Sequence, residues 1–240
     1  MCNNGCSRQW YSTKCTAYLK GIKCATQWMD VNVEFYSPSI VRVYKTPSQK
    51  SCNKESLVIV KTPESTPVSF GEKGKNVTLS SRLIQVEVNP ETGGIHFFDS
   101  SGQRLLTDKD YGTQFTPFND AGVPSFNVRQ AFLLDKDEVI YGLGQQQTGK
   151  VNQRNQKLFL RNQNMSICIP FIHSVKGYAL YWDNYSPTTF LDNPQEMSFD
   201  SEVGDCGETV SNCVGSLYPS AAVPNRRLLR LYPAKRPGGH

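Results

Sequence analysis

The stretch Gly144-Gln145-Gln146-Gln147-Thr148-Gly149-Lys150 has the spacing with which a glycine-rich loop cradles phosphate groups. That chemistry also needs a Ser or Thr directly after the lysine, to hold magnesium, and a helix whose N-terminus faces the phosphates. Val151 stands at the next position, and Asn152-Gln153-Arg154-Asn155-Gln156-Lys157 offers no apolar helical face. No nucleotide and no other cofactor is expected. Metal chemistry has equally little support. Three histidines and eight cysteines occur, with no CxxC pair and no zinc-site spacing, so no metal is expected. Cys2, Cys6, Cys15, Cys24, Cys52, Cys168, Cys206 and Cys213 are too scattered for a small disulfide framework. They read as free thiols, with disulfides as the alternative reading. The acids Asp99, Asp135, Asp137, Asp183, Asp192 and Asp205 are dispersed over turns and strand ends, without a recognisable pair for acid–base work. His173 falls on the face of Ile167, Ile169, Phe171 and Val175 and has no partner carboxylate motif nearby. It reads as a satisfied core histidine, not a catalyst.

The elements that would position these residues are strands. Val31-Asn32-Val33-Glu34-Phe35, Ile40 to Tyr44, Val77-Thr78-Leu79 and Ile84-Gln85-Val86-Glu87-Val88 alternate apolar and polar residues. Successive side chains of a strand point to opposite faces, so each segment is a half-buried strand. Leu57 to Val60 is an apolar run. Glu87 to Gln103 reads as a hairpin whose loop is Asn89 to Gly94 and whose return strand is Ile95 to Asp99. Further strands are expected at Val139 to Leu143, Leu158 to Leu160, Ile167 to Val175 and Tyr178 to Trp182. Lys176-Gly177 forms the turn between the last two. No amphipathic helix of ten or more residues occurs before residue 205. Short strands punctuated by turns every eight to twelve residues predict an all-β protein, a β-sandwich.

Composition supports a globular protein: of 240 residues, 38% are hydrophobic and 20% charged. No apolar run is long enough to span a membrane as a helix. The net charge of +5 is concentrated in Thr209 to His240, which holds five basic residues and no acidic one. No aromatic-interleaved basic patch accompanies it, so nucleic-acid binding is not expected. After residue 206 the alternation stops and Pro219, Pro224, Pro233 and Pro237 appear. A proline cannot donate to a sheet ladder, so residues 207–240 are expected to form a disordered basic tail with no core strand. At the other end, residues 1–21 are rich in cysteine and polar residues and read as irregular. Met1 to Cys6 has no apolar signal core. Met1 is not expected to be the start of the functional parent, and residues 1–21 read as what remains after a lost secretion or lipoprotein signal. The parent's compartment stays open between secreted, periplasmic and lipid-anchored.

Three ordered blocks carry a resemblance. Phe35-Tyr36-Ser37-Pro38-Ser39-Ile40-Val41-Arg42-Val43 ends in an IVRV strand. Tyr141-Gly142-Leu143-Gly144 precedes a polar loop with Gly149, Asn152 and Arg154. Ile169-Pro170-Phe171-Ile172-His173-Ser174-Val175-Lys176-Gly177-Tyr178-Ala179-Leu180-Tyr181-Trp182-Asp183-Asn184 follows. Together they resemble the N-terminal domain of glycoside hydrolase family 31, the α-glucosidase and α-xylosidase family, over residues 22–206. Asn155 and Ala179 stand where that family has glycine. Asparagine tolerates the positive φ that such a glycine implies.

The resemblance implies a galactose-mutarotase-like sandwich that ends before a catalytic (β/α)8 barrel. It implies a parent that is a retaining α-glycosidase working through two barrel aspartates. No catalytic residue is then expected in this chain. True mutarotases use histidine and a carboxylate, and no pair of histidines here fits that arrangement. Gly142, Gly144, Gly177, Trp182, Asp183 and Asn184 are structural in this reading. The loop Arg161 to Ser166 would reach the rim of the sugar site. Asn162, Gln163 and Asn164 are its candidate binders of an α-linked glucoside or xyloside, with plain polar loop residues as the equal alternative. The expected partners are that carbohydrate and the barrel. A free-standing carbohydrate-binding or interaction module is the competing reading.

Overall fold

The computed structural model describes residues 10–12, 14–48, 50, 56, 58, 62–203 and 212–219, with 10–12 and 212–219 described by backbone alone. Its strands in chain order begin with β1 (Trp10–Ser12), β2 (Cys15–Tyr18), β3 (Gly21–Ala25), β4 (Met29–Ser37) and β5 (Ile40–Pro47). There follow β6 (Ser69–Lys73), β7 (Asn76–Ser80), β8 (Ile84–Val88), β9 (Ile95–Asp99) and β10 (Arg104–Asp108). Next come β11 (Gln114–Asp120), β12 (Val123–Leu133), β13 (Ile140–Gln145) and β14 (Lys157–Leu160). The chain continues through β15 (Ile167–Ser174), β16 (Tyr178–Asp183), β17 (Thr188–Asn193), β18 (Glu196–Ser201) and β19 (Asn212–Pro219). No helix occurs among the described residues.

The strands form two antiparallel sheets. One runs β1-β2-β3-β4-β5-β19-β16-β15-β13, and the other β14-β17-β18-β12-β10-β9-β8-β7-β6, with β11 paired to β12. Alternation explains how they stack. Met29, Val31, Val33 and Phe35 of β4 are buried, while Asp30, Asn32 and Glu34 between them are half-buried. Val41 and Val43 of β5 face the same way, and Val86, Phe132, Phe190 and Phe199 of the second sheet close the core against them. Each such side chain contributes roughly 1.5–3 kcal/mol by leaving water. The architecture is the expected all-β sandwich. The hairpin β8–β9 forms as read, with Val88 opposite Ile95 and Asn89 Oδ1 accepting from the backbone N–H of Glu91 at 2.9 Å. The Leu57 to Val60 run lies mostly outside the described residues.

One polar cluster crosses the core. Lys45 of β5 is fully buried and donates to Asp108 Oδ2 at 2.6 Å, Thr113 Oγ1 at 2.9 Å and Gln130 Oε1 at 3.2 Å. Asp108 Oδ2 also accepts from the N–H of Ile95 at 3.2 Å. Burial raises the Asp108 carboxyl above its ordinary range, with Lys45 pulling the other way. A buried lysine survives only with such a full set of acceptors.

Three expectations need correction. The first 21 residues are not wholly irregular, because β2 pairs with β3 in full register from Cys15↔Cys24 to Tyr18↔Gly21. That pairing also overturns the free-thiol reading for two cysteines, since opposed Cys15 and Cys24 form a disulfide, with Cα atoms 4.1 Å apart. Cys168 is a free thiol, as read. Cys2, Cys6, Cys52 and Cys206 lie outside the described residues, as does the side chain of Cys213. Third, the tail does supply a core strand. β19 pairs with β5 on one side and β16 on the other. Pro219 only ends it, residues 211–218 are free of proline, and Gly215 absorbs a bulge in the pairing with β5. The rest of residues 207–240 lies outside the described residues.

Candidate functional site

The loop Arg161 to Ser166 joins β14 to β15, as expected. Gln163 and Ser166 exchange backbone hydrogen bonds of 3.2 and 3.1 Å, which puts Asn164 and Met165 at the tip of a tight turn. Met165 adopts a positive φ of 67° there. Asn162 is committed locally, because its Oδ1 accepts from the backbone N–H of Cys168 at 2.7 Å. A carbonyl oxygen is required by that donor, so the amide orientation is fixed and Nδ2 faces away from it. Gln163 and Asn164 are exposed.

Asn162 lines an open cleft of about 340 Å³, with Arg161, Cys168 and Tyr181 on one side and the stretch Asn184 to Thr188 on the other. Gln163 and Asn164 are outside its lining. Burial pushes the Cys168 thiol up, which makes it a poor nucleophile.

The second wall of the cleft is the end of the Trp182-Asp183-Asn184 motif. Trp182 is fully buried, stacks on Phe199 with ring centroids 5.4 Å apart, and donates through Nε1 to Ser201 Oγ at 2.9 Å. It anchors the two sheets to each other. Asp183 pairs with Arg42 at 3.6 Å, linking the IVRV block to the third block. Asn184 Oδ1 accepts from the N–H and Oγ of Ser186 at 2.9 and 3.0 Å, which folds the turn into β17. Its Nδ2 is buried with no partner among the described residues.

The YGLG block is a strand kink. Gly142 and Gly144 have φ of 125° and 82°, and Leu143 between them is buried at φ 67°. A Cβ on Gly142 would lie 2.2 Å from the carbonyl oxygen of Phe171, and one on Gly144 2.1 Å from that of Ile167. Only glycine permits that approach. Gly177 ends the turn into β16, its N–H donating to the Ser174 carbonyl at 3.0 Å. In the following loop Arg154 Nε donates to Asp192 Oδ2 at 2.9 Å, and Asn155 has φ 55°, as its place in the family pattern predicted.

One cluster was not legible in the motifs. Glu138 is buried, and its Oε1 accepts from Ser174 Oγ and Tyr178 Oη, both at 2.5 Å. Burial, then the Glu138 charge, holds the Tyr178 hydroxyl well above its ordinary range, so it remains a donor. This ties the start of β13 to the β15–β16 turn and has no open face for a substrate. Its only sequence signal was an acid beside a strand start.

The face assigned to His173 is corrected. Ile172 and Ser174 of β15 point into the core and are fully buried. Ile167 and Ile169 point outward with 55% and 37% of their surface exposed, and Tyr141 opposite His173 on β13 is 37% exposed. His173 is half-buried on that outer face. An outward stripe of β-branched residues has the same period as a core stripe, so the sequence alone did not separate them.

The sandwich has counterparts in known proteins. Residues 30–190 match the family model of the glycosyl hydrolase 31 N-terminal galactose mutarotase-like domain. The chain belongs to this family. It is 30% identical to an α-xylosidase of Saccharolobus solfataricus over 168 residues, 66% of this chain and 22% of the relative. It is 24% identical to α-glucosidase 2 of Bacillus thermoamyloliquefaciens over 67% of this chain and 21% of the relative. It spans about a fifth of the length of both. A crystal structure of the family 31 α-xylosidase of Xanthomonas citri superposes with a TM-score of 0.69 at 27% identity, covering 72% of this chain and 19% of that one. An α-xylosidase from a soil metagenome, complexed with xylose, superposes with a TM-score of 0.75 at 19% identity, covering 86% of this chain and 32% of the other, and shows the fold alone.

Proposed function

We propose that this chain is the non-catalytic N-terminal domain of a family 31 α-glycosidase of the α-glucosidase or α-xylosidase type. In this reading the sandwich docks the outer face of β13 and β15 on a (β/α)8 barrel. The Asn162–Asn164 loop then reaches the rim of the sugar site. The observation that carries the proposal is the juxtaposition of Tyr141, Ile167 and Ile169, exposed on one face, with the polar loop that leads into β15. Exposed apolar residues grouped on a rigid sheet mark an interaction surface. Amides on a loop held by such a sheet suit sugar hydroxyls. The ligand class is an α-linked glucoside or xyloside, as the names of the relatives suggest.

The chain alone is expected to hydrolyse no glycoside. Retaining hydrolysis needs two carboxyl groups about 5–5.5 Å apart across the bond. The acids here are spent on structure: Asp183 on Arg42, Asp192 on Arg154 and Asp108 on Lys45. The test assays the purified chain on aryl α-glucoside and α-xyloside, then adds a separately expressed family 31 barrel. Turnover that appears only with the barrel, and falls when Gln163 and Asn164 become alanine, supports docking and rim loop together. Turnover by the chain alone that vanishes on replacing one aspartate would overturn the reading.

A free-standing carbohydrate-binding module is the second reading, and the cleft beside Asn162 and Asn184 favours it. Saturable binding of a xylo- or gluco-oligosaccharide to the chain alone, lost in Asn162→Ala, would establish it over the first.

A further inference from the structure

β19 stands between β5 and β16, and no other strand pairing among the described residues joins the β1–β5 half of its sheet to the β16–β15–β13 half. It runs antiparallel to both neighbours, from Asn212↔Lys45 to Leu217↔Val41 on one side and from Asp183↔Cys213 to Tyr178↔Pro219 on the other. Two features set the width of the gap without it. On the inner side Val41 and Val43 of β5 and Tyr178 and Trp182 of β16 all belong to one continuous core. On the opposite side Arg42 of β5 reaches across to Asp183 of β16 at 3.6 Å, held at its other end by Tyr36 Oη at 2.8 Å. Core and clasp hold two strand edges one strand apart, each with a row of backbone donors and acceptors. Such a gap is filled by main-chain pairing, which demands an extended segment and little else of its sequence.

We propose that the gap between β5 and β16 is a strand-acceptor site, occupied in cis by Asn212–Pro219 and open to the same strand of a second copy of this chain. The occupant it fits is an extended segment of about eight residues without interior proline and with a glycine where Gly215 forms the bulge. Residues 202–211 tether the cis strand, and such tethering gives an effective concentration that a free strand rarely matches. Exchange between copies therefore needs the cis strand to be weakened. This inference is independent of the carbohydrate reading.

The test uses the full chain carrying Val214→Pro and Leu217→Pro, which removes two donors from the cis strand. A fluorescent peptide of residues 210–220 is titrated in and followed by anisotropy. Saturable binding at least tenfold tighter to this variant than to the wild-type chain is expected, with no binding of a peptide carrying the same two prolines. Equal affinity for both peptides, or none in a variant that keeps its β circular dichroism, would overturn the proposal. If the variant loses its fold, the wild-type chain is given a protease site within residues 206–210 and cut after folding. The tail fragment should then stay bound through gel filtration and exchange with labelled peptide, and its separation from an unchanged body would equally overturn the site.

Discussion

The two faces of β15 differ in how far they are finished. Its inner side, Ile172 and Ser174, joins a core in which even the charges have partners: Ser174 bonds Glu138, and on neighbouring strands Lys45 meets Asp108, Thr113 and Gln130. Its outer side presents Ile167, Ile169 and half-buried Phe171 to solvent. The same strand chemistry serves both sides, and only the inner one is covered. A sheet that faced water alone would place polar residues outside, as β4 does with Asp30, Asn32 and Glu34. This contrast is what the proposed docking of the outer face rests on.

The largest expected effect lies on the finished side. Lys45→Met leaves the Asp108 carboxyl buried without its cation, at a cost of about 3–5 kcal/mol. Lys45→Met with Asp108→Leu should recover most of that loss, because no unpaired charge remains. Denaturant unfolding of the wild type, both single variants and the double variant measures the coupling. The penalty in Lys45→Met should shrink on acidification, since a protonated Asp108 needs no cation. If Lys45→Met costs under 1 kcal/mol at neutral pH, the core is not held by this cluster. The sheet edge should respond less. Replacing Cys15 and Cys24 by serine removes a short cross-link and should cost about 2 kcal/mol, read from the same unfolding curves. Asn155→Ala, at φ 55°, should cost about 1 kcal/mol, while Asn155→Gly should cost nothing measurable.

Asp135 lies at the border of the two regions. Its hydrogen bond to Lys176 at 3.0 Å holds the carboxyl below its ordinary range, helped by Arg104. A depressed folded pKa contributes stability above the ordinary aspartate range, and that contribution is lost as pH falls through the folded value. Lys176→Met should move the Asp135 carboxyl signal, followed by NMR, back toward that ordinary range. The effect on stability should be slight, since this aspartate is half exposed and solvent screens the pair.

Period-two patterning and the family blocks made strands of both sheets legible, β4, β5, β13, β15 and β16 in one and β7, β8 and β9 in the other. The misses share causes. β12, the longest strand, runs Val123-Pro124-Ser125-Phe126-Asn127-Val128-Arg129-Gln130-Ala131-Phe132-Leu133, where Pro124 and polar inward residues such as Gln130 break the pattern. Gln130 is polar because Lys45 needs it, and no local rule reveals a partner 85 residues away. β19 was hidden by the proline that ends it and those that follow. Of the site, the loop position was legible, but which of its amides line the cleft was not. That depends on Asn162 bonding Cys168 across the strand start, a contact only the folded turn creates.

The smallest expected effect on stability is the sharpest test of the comparison. Ile167 and Ile169 each keep a third or more of their surface in water. Replacing both by threonine keeps β-branching, and hence strand preference, while removing apolar contact area on the outer side only. If that face is unfinished surface, the unfolding midpoint should move by no more than the ~0.5 kcal/mol usual for exposed sites. The same pair of changes at Val41 and Val43 would introduce two hydroxyls into a sealed core, at about 1–3 kcal/mol each. The outer variant should also be more soluble, and should fail to restore turnover when mixed with a family 31 barrel, because the docking surface and not the fold has been altered. A loss of several kcal/mol at Ile167 and Ile169 would mean that the outer face is already packed within this chain. The contrast between the two sides of β15 would then disappear.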